Sequence, residues 1–248
     1  MDFKYKRIDS GIIICKYCGS AERVTIPTRI ENLPVKSVGD KTFKGCKNLT
    51  EITIPDNVKS IGNSAFKNCW HLNRIIIPEG VTTIGDSAFS SCSDLIAVTI
   101  PDNVMSIKKG TFSGCVSLKE IIIPNGVTSI GDSAFSWCTN LESIVISDSV
   151  MEIGEGILSG CTNLRAIKLP AGLTFISAFS FSDCRSLTEI TIPDSVNFIS
   201  GLAFVGCRNL KTVHISDFAL SKEAIKRSIY EILRENSCCK ISPIPQQK

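Results

Sequence analysis

Hydrophobic and polar positions follow one pattern that returns every 23 residues along most of the chain. Residues 116–138, VSLKEIIIPNGVTSIGDSAFSWC, show the unit in full, and close variants precede and follow it without insertion. A fixed period of roughly 20–50 residues is typical of repeat architectures, in which stacked units bury a core that one unit cannot bury alone. The pattern therefore predicts a solenoid, with a cap at each end.

The first half of each unit predicts a short β-strand. In the unit above, Leu118 is followed by Ile121 and Ile123, with less regular residues between them. An alternation of mostly β-branched side chains is typical of a strand with one buried face. Pro124 then ends the strand, because proline has no N–H to donate to a sheet.

The second half of the unit predicts a short helical turn. Val127 and Ile130 form a second apolar pair, and Gly131 follows as a turn residue. Asp132 precedes Ser-Ala-Phe and could cap a helical turn, because Asp and Asn accept hydrogen bonds from the first free N–H groups. Phe135 closes the far side of the core. The expected fold class is an α/β solenoid with a short strand and a short helical turn in each repeat.

The pattern divides the chain into three parts. Residues 1–21 predict a β-hairpin cap that turns at Asp9-Ser10-Gly11. Residues 22–215 form the solenoid, and residues 216–248 are interpreted as a helical cap with a flexible tail from Ser242 onward. The predicted helix, from Ser216 to about Asn236, places its apolar residues on one face: Leu220, Ile225, Ile229, Ile232 and Leu233. A free helix that binds a partner is the alternative.

Composition narrows the classes of partner and location. The net charge is +3, without a long run of Lys or Arg, which argues against nucleic acid or an anionic membrane as the main partner. The N-terminus lacks the apolar core of a secretory signal. No stretch approaches the ~20 apolar residues that span a bilayer. Taken alone, these features predict a cytoplasmic protein with no membrane insertion.

Cysteines are predicted to be reduced. Eight of them occupy one position of the repeat: Cys46, Cys69, Cys92, Cys115, Cys138, Cys161, Cys184 and Cys207. Equivalent atoms of stacked strands lie about 4.8 Å apart, whereas the Cβ atoms of a disulfide lie about 3.8 Å apart. Buried cysteine packs as a small hydrophobic side chain. This set is named the cysteine column.

The sequence offers little catalytic or metal chemistry. Cys15-x-x-Cys18 supplies two ligands, whereas structural zinc usually has four. Cys238-Cys239 is expected at the other end of the stack, roughly 40 Å away, so the two pairs do not share a site within one molecule. His71 and His214 occupy different positions of the repeat, and no phosphate loop or HExxH motif is present. We predict no enzyme, metal or cofactor; a zinc or redox pair at Cys15 and Cys18 remains the alternative.

Most units match the pattern L-x-x-I-x-I-P-x-x-V-x-x-I-G-x-x-A-F-x-x-C, which resembles the BspA-like leucine-rich repeats over about residues 3–215. The resemblance implies a right-handed, curved leucine-rich-repeat stack with a sheet along one side. It also implies adhesion or binding to proteins and other macromolecules, in secreted or cell-surface proteins. Ser147 and Ser216 depart from the proline of the pattern, and Leu158 departs from its Phe.

The solvent face of the predicted strands is the first candidate binding surface. Its members occupy the fifth and seventh positions after each cysteine: Arg74, Ile76, Glu120, Ile122, Val145, Lys168, Glu189, Thr212 and His214. Ile76, Ile122 and Val145 are apolar where the pattern predicts exposure, and exposed apolar patches mark interaction sites. The leading hypothesis is a non-enzymatic scaffold that binds a macromolecular partner, a protein, through this face. Ordinary strand propensity is the alternative explanation.

A second candidate lies on another edge of the stack. Phe175 and Phe198 occupy the same position of adjacent repeats, and Phe179 and Leu202 share a neighbouring one. Earlier repeats carry Ser, Thr or Glu at the first position and Ser or Gly at the second. These residues either pack beneath the C-terminal helix or form the surface of a homo-oligomer. The second function hypothesis is therefore a structural or self-assembling module.

Overall fold

A computed structural model describes residues 2–235 and 239–243, which form a β-solenoid of about nine turns with few helices. The strands, in chain order, are β1 (Phe3–Ile8), β2 (Gly11–Tyr17), β3 (Arg23–Thr25), β4 (Arg29–Ile30), β5 (Leu33–Val38), β6 (Glu51–Thr53), β7 (Ser60–Ile61), β8 (Arg74–Ile76), β9 (Thr83–Ile84), β10 (Ser106–Ile107), β11 (Glu120–Ile123), β12 (Ser129–Ile130), β13 (Ser143–Ile146), β14 (Glu152–Ile153), β15 (Phe175–Ile176), β16 (Glu189–Thr191), β17 (Phe198–Ile199), β18 (Thr212–Ile215) and β19 (Lys240–Pro243). The helices are α1 (Asp217–Leu220) and α2 (Glu223–Glu235).

The first strands of most repeats contribute to sheet 1, which comprises β3, β6, β8, β11, β13, β16 and β18 together with β19 of the C-terminal segment. Its strands pair in parallel in three groups, β3-β6-β8, β11-β13 and β16-β18-β19. Equivalent residues of successive repeats face each other, as Ile52 faces Ile75. Single bridges at Arg74–Ala97 and Lys168–Thr191 extend the outer groups. The constant register keeps every repeat position in line along the stack.

A second row of strands forms sheet 2, which comprises the six-residue β5 and the two-residue strands β7, β9, β10, β12, β14, β15 and β17. These strands also pair in parallel, in the groups β5-β7-β9, β10-β12-β14 and β15-β17. The N-terminal hairpin of β1 and β2 is antiparallel, and β2 pairs in parallel with β5. The hairpin therefore extends sheet 2 at the N-terminal end of the stack.

The helical turn predicted for each repeat is not confirmed. Its place is taken by a turn segment in which Ser64, Phe66 and Asn68 donate their N–H groups to carbonyls of the next repeat. Ala65 and Lys67, between them, close local turns instead. Ser64 has φ +53° and Asn68 has φ +62°, in the left-handed region. These two residues interrupt the right-handed path that a helix needs, and every second N–H leaves the segment.

The Asn and Asp residues predicted as helix caps bond to the following repeat instead. Asn63 Oδ1 accepts a hydrogen bond from the Asp86 N–H at 2.8 Å. Asp40, at the equivalent position of the first repeat, accepts one from the Asn63 N–H through its Oδ1 at 2.7 Å. Asp132 Oδ1 does the same for the Glu155 N–H at 3.0 Å. The side chain that resembles a cap in sequence thus satisfies a backbone donor one layer further along the stack.

Aromatic rings stack through the core next to the turn segment. Phe43, Phe66, Phe89, Phe112 and Phe135 are fully buried, with successive ring centroids 5.1–5.5 Å apart. Their planes are nearly parallel, within 2–9° of each other. The spacing follows from the strand separation of about 4.8 Å. The turn segment therefore contributes to a continuous core although it forms no helix.

The C-terminal segment differs in part from the single predicted helix. It forms the short α1 and the longer α2, and the rest of the predicted helix, at Asn236, lies outside the described residues. Ile225, Ile229 and Ile232 are buried, in agreement with the apolar face. The chain then returns as β19, which pairs in parallel with β18. Ser242 was expected in a flexible tail, but it lies within this strand; residues 244–248 are outside the described part.

The cysteine column is reduced and mostly buried. Among the described cysteines all are free, and Cys69 to Cys207 of the column are fully buried, whereas Cys46 is half-buried. Each buried thiol donates to a carbonyl of the preceding repeat, as Cys138 Sγ does to the Phe112 carbonyl at 3.2 Å. Burial raises the pKa of Cys92, Cys138 and Cys207 to about 12, because the apolar core disfavours a thiolate.

This raised pKa predicts a loss of stability at high pH. Between about pH 9 and 12 the unfolded thiols ionise and the folded thiols do not, so the free energy of unfolding falls as the pH rises. Each such thiol contributes a slope of about 1.4 kcal/mol per pH unit. Cys138→Ala should make the slope shallower by about that amount in urea unfolding measured across this range. Equal slopes for the variant and the wild type would contradict the assignment.

Candidate functional site

The sheet-1 face is the outward surface of sheet 1, and it carries the residues predicted to bind a partner. Ile75, Ile121 and Ile144 point into the core. Ile76 and Ile122, which lie next to them in the chain, are 80% and 67% exposed. Short strands in parallel register leave the outward side chains no contact with the core. The apolar residues at these outward positions are therefore held in solvent.

The strand register determines which of the predicted residues are neighbours. Ile122 of β11 lies opposite Val145 of β13, and Val145 is 58% exposed. Ile76 is two repeats away in the same row, and the exposed Thr99 occupies the repeat between them. The structure thus brings Ile122 and Val145 together, whereas Ile76 is an isolated exposed apolar residue.

A shallow depression of about 470 Å³ surrounds Ile76. Its floor and rim come from three successive repeats, including Thr53, Arg74, Ala97 and Thr99. Pro78 and Asp56 close one side, at the ends of the strands. Ile76 therefore lies within a concave part of the sheet-1 face, where a protruding side chain of a partner can be surrounded.

The C-terminal part of the sheet-1 face is charged. Lys168 Nζ lies 3.4 Å from Asp148 Oδ2, and His214 Nε2 lies 3.4 Å from Glu189 Oε2. The Ala171 N–H, followed by the Lys168 ammonium, holds the pKa of Asp148 below its ordinary value. Arg74 and Glu120, in contrast, take part in no ion pair within the described residues. The sheet-1 face therefore carries exposed apolar side chains in its middle and ion pairs near its C-terminal end.

The second predicted surface, the phenylalanine edge, comprises Phe175, Phe179, Phe198 and Leu202. The rings of Phe175 and Phe198 stack with centroids 4.9 Å apart. Both belong to sheet 2, where their register places them side by side. All four side chains remain 40–47% exposed, although α2 packs close to β17. Packing beneath the helix therefore accounts for only part of this edge.

Sequence analysis missed a third feature, Trp137, which is 58% exposed on the turn segment. Trp137 has φ +62°. Its repeat position is held elsewhere by residues that tolerate a left-handed backbone, such as Asn68, Ser91, Gly114 and Gly160. A bulky aromatic residue among them was the available signal. The left-handed conformation that makes it unusual could not be recognised without the structure.

Cys15 and Cys18 are exposed, and they belong to or follow β2. In residues 2–235 and 239–243, no three His, Cys, Asp or Glu side chains come close enough to hold a metal ion. Cys238 of the other predicted pair lies outside the described residues. His71 is on the surface, where its Nδ1 lies 2.8 Å from Asp94 Oδ2. Several repeats separate His71 from His214. No helix of the described chain has the length and hydrophobicity of a membrane span.

Comparison with solved structures finds other leucine-rich repeat proteins. A solved leucine-rich repeat protein from T. pallidum is 30% identical over 96% of both chains, with a TM-score of 0.64. A leucine-rich cell surface protein from Faecalibacterium prausnitzii is 23% identical over 99% of this chain and 94% of that chain, with a TM-score of 0.46. No curated protein matches the sequence.

The family model for the BspA type leucine-rich repeat region matches residues 12–142 and 106–231, with six copies. The two matched ranges overlap and together include most of the solenoid. They contain the phenylalanine edge, Trp137 and the exposed apolar residues of the sheet-1 face. This chain belongs to the BspA type leucine-rich repeat family.

Proposed function

We propose that this protein is a non-enzymatic scaffold that binds another protein through the sheet-1 face. The observation that carries the proposal is the row of Ile76, Ile122 and Val145, exposed at 80%, 67% and 58%. Proteins of leucine-rich repeats are generally interaction modules and typically lack enzymatic activity. A location at the cell surface remains a prediction from the family resemblance.

The chemistry of the sheet-1 face suits a protein partner. Protein interfaces combine a buried apolar centre with a polar rim. Ile122 and Val145 supply an apolar centre, while Arg74, Glu120 and Lys168 supply charges around it. Ile122 and Val145 project from two strands that pair with each other in parallel, and a backbone held in this way loses little conformational entropy on binding. A rigid row of this kind supports recognition of an extended surface rather than of a small molecule.

The first test replaces the apolar row with charges. Ile76→Glu/Ile122→Glu/Val145→Glu should leave the melting temperature within a few degrees of the wild type, because exposed substitutions cost about 0.5 kcal/mol or less. Protein partners are first isolated with the wild-type chain and purified. In calorimetry, the affinity of the variant for such a partner should fall by at least about tenfold, because three side chains that the partner would bury are replaced.

A control places two glutamates on another exposed surface. Met105 and Met151 are 68% and 62% exposed and lie outside sheet 1. Met105→Glu/Met151→Glu should bind the purified partner with wild-type affinity. If the control and the sheet-1 variant lose binding equally, or if neither loses it, the site is not the sheet-1 face. A large fall in melting temperature for the sheet-1 variant alone would show instead that these residues stabilise the fold.

We also infer that α2 closes the C-terminal end of the stack. The Ile61 carbonyl of an internal repeat accepts the Gly85 N–H of the next repeat at 2.9 Å. Ile199, at the same position of the last complete repeat, accepts the Ser228 hydroxyl of α2 instead. Lys222 Nζ donates to the Asp194 and Val196 carbonyls at 2.8 and 2.9 Å. The Ser228 hydroxyl therefore takes the place of the backbone donor of a following repeat, and Lys222 satisfies two further carbonyls at this end.

Loss of the Ser228 hydroxyl should destabilise this end. Ser228→Ala leaves the buried Ile199 carbonyl without its partner, and we expect the free energy of unfolding to fall by about 1–3 kcal/mol. Arg227→Ala, on the exposed side of α2, should change it by about 0.5 kcal/mol or less. Urea unfolding measures both. Equal stabilities of the two variants would count against a capping role for α2.

The phenylalanine edge supports a second candidate function, self-association with another copy of the chain. Its four side chains, at 40–47% exposure, present on the order of 350 Å² of apolar surface. Patches of roughly 300–600 Å² are the largest on typical monomers and are often functional. The stacked Phe175 and Phe198 form its rigid centre. Two such edges facing each other would bury apolar area on both copies.

The mass in solution tests this candidate. Light scattering at increasing concentration should show the wild type rising above its monomer mass of 26.9 kDa. Phe175→Ser/Phe198→Ser restores residues found at this position in earlier repeats, such as Ser106 and Ser129, and should stay monomeric. Met105→Thr/Met151→Thr should associate as the wild type does. A wild type that remains monomeric at every concentration eliminates the candidate.

A further inference from the structure

Trp137 and Phe179 are bulky aromatic residues held in a conformation that disfavours them. Most repeats have two left-handed positions in their turn segment and fill them with Gly, Ser, Asn or Asp. Trp137 has φ +62° and Phe179 has φ +57°. Left-handed backbone is a genuine outlier for large side chains. Neither ring is buried, so burial in the core does not explain why these residues are tolerated.

The two residues line the same cavity, which has a volume of about 350 Å³. Two layers of the stack separate them, on the order of 10 Å. The layer between them carries Gly156 and Gly160 at the corresponding positions. A Cβ atom on Gly160 would lie 2.8 Å from Trp137 Cε3. The indole therefore lies across Gly160, on the side of the stack toward Phe179, and Gly156 lines the cavity between the two rings.

Both hydrogen-bond acceptors and hydrogen-bond donors line this cavity. The backbone of Glu155 is hydrogen-bonded, with its N–H donating to Asp132 Oδ1. Its exposed carboxylate takes part in no hydrogen bond or ion pair within the described residues and is therefore a free acceptor. Asp132 provides a second carboxylate, and Lys109 Nζ lies 3.7 Å from Asp132 Oδ2 as a donor. The hydroxyls of Ser133 and Ser136 complete the lining. Strained residues, a cavity and unpaired polar groups together are typical of a ligand site.

We propose that this cavity binds a saccharide, with a sugar ring against Trp137. The C–H face of a pyranose carries partial positive charge and complements the negative face of the indole. Sugar hydroxyls need acceptors and donors close together, which Glu155, Asp132 and Lys109 provide. A bare cation would meet the aromatic rings and carboxylates but also the Lys109 ammonium. The volume of about 350 Å³ is at the small end of ligand sites, as for a mono- or disaccharide unit.

Fluorescence provides the first test, because the chain has only two tryptophans, Trp70 and Trp137. Trp70→Phe leaves Trp137 as the single indole. Its emission should change and saturate during titration with at least one of maltose, cellobiose, lactose and N,N′-diacetylchitobiose. A flat response to all four, at concentrations into the tens of millimolar, overturns the proposal. A response to tetramethylammonium chloride alone also overturns it, in favour of a cation site.

Calorimetry with the active disaccharide tests the residues. Trp137→Gly should abolish binding without lowering the melting temperature, because glycine occupies the left-handed position at Gly114 and Gly160. Glu155→Gln should weaken binding about tenfold, as expected for loss of a charged acceptor. Wild-type affinity in either variant, or a melting temperature several degrees lower for Trp137→Gly, overturns the assignment.

A further variant separates this site from the sheet-1 face. Ile122→Glu should bind the disaccharide as the wild type does, because Ile122 is not among the residues that line the cavity. Failure of the protein-binding proposal would leave this result unchanged. If Ile122→Glu abolishes saccharide binding, the sugar binds elsewhere and the proposed site is wrong.

Discussion

Hydrogen bonds from one repeat to the next are the interaction on which the rest of this structure depends. In the turn segment every second N–H is donated to the following layer, as Phe66 donates to Ala88 and Phe89 donates to Thr111. In sheets 1 and 2 the parallel register does the same work. An inserted residue would turn these donors away from their acceptors and shift each outward side chain inward. This requirement explains why the 23-residue period is unbroken from Cys46 to Cys207.

A fixed register also places the residues of one repeat position in a straight row along the stack. A change of residue type within an outward row therefore changes the chemistry of the surface at that repeat. Core rows are nearly uniform, as the buried cysteines and the stacked Phe rings show. Outward rows vary because their side chains are not needed for stacking. The departures that matter are those with no compensating burial: Ile76 and Ile122 on sheet 1, and Trp137 on the turn segment.

The sequence predicts the strand rows well and the turn segment poorly. Alternation such as Ile121 and Ile123 has one structural solution in a repeat, because the buried positions must face the stack. Asn63 or Asp132 before Ser-Ala-Phe has two solutions, a helix cap or a bond to the next layer, and the choice depends on the neighbouring repeat. β19 could not be predicted because its residues do not match the repeat pattern; it forms only where β18 offers an open edge.

Of the candidate sites, the sheet-1 face can be predicted from the sequence and the cavity beside Trp137 cannot. Exposure of Ile122 and Val145 follows from a period of two, so the sequence is sufficient to nominate them. The cavity beside Trp137 combines residues from several repeats, and its defining feature is a left-handed backbone that the sequence does not display. Local rules assign Gly, Ser, Asn or Asp to that position, since they adopt the conformation at low cost. A tryptophan there weakens local consistency without adding to the core. If the exposed ring binds a saccharide as proposed, the turn segment is a second binding surface beside sheet 1, and this function offsets the local cost of the residue.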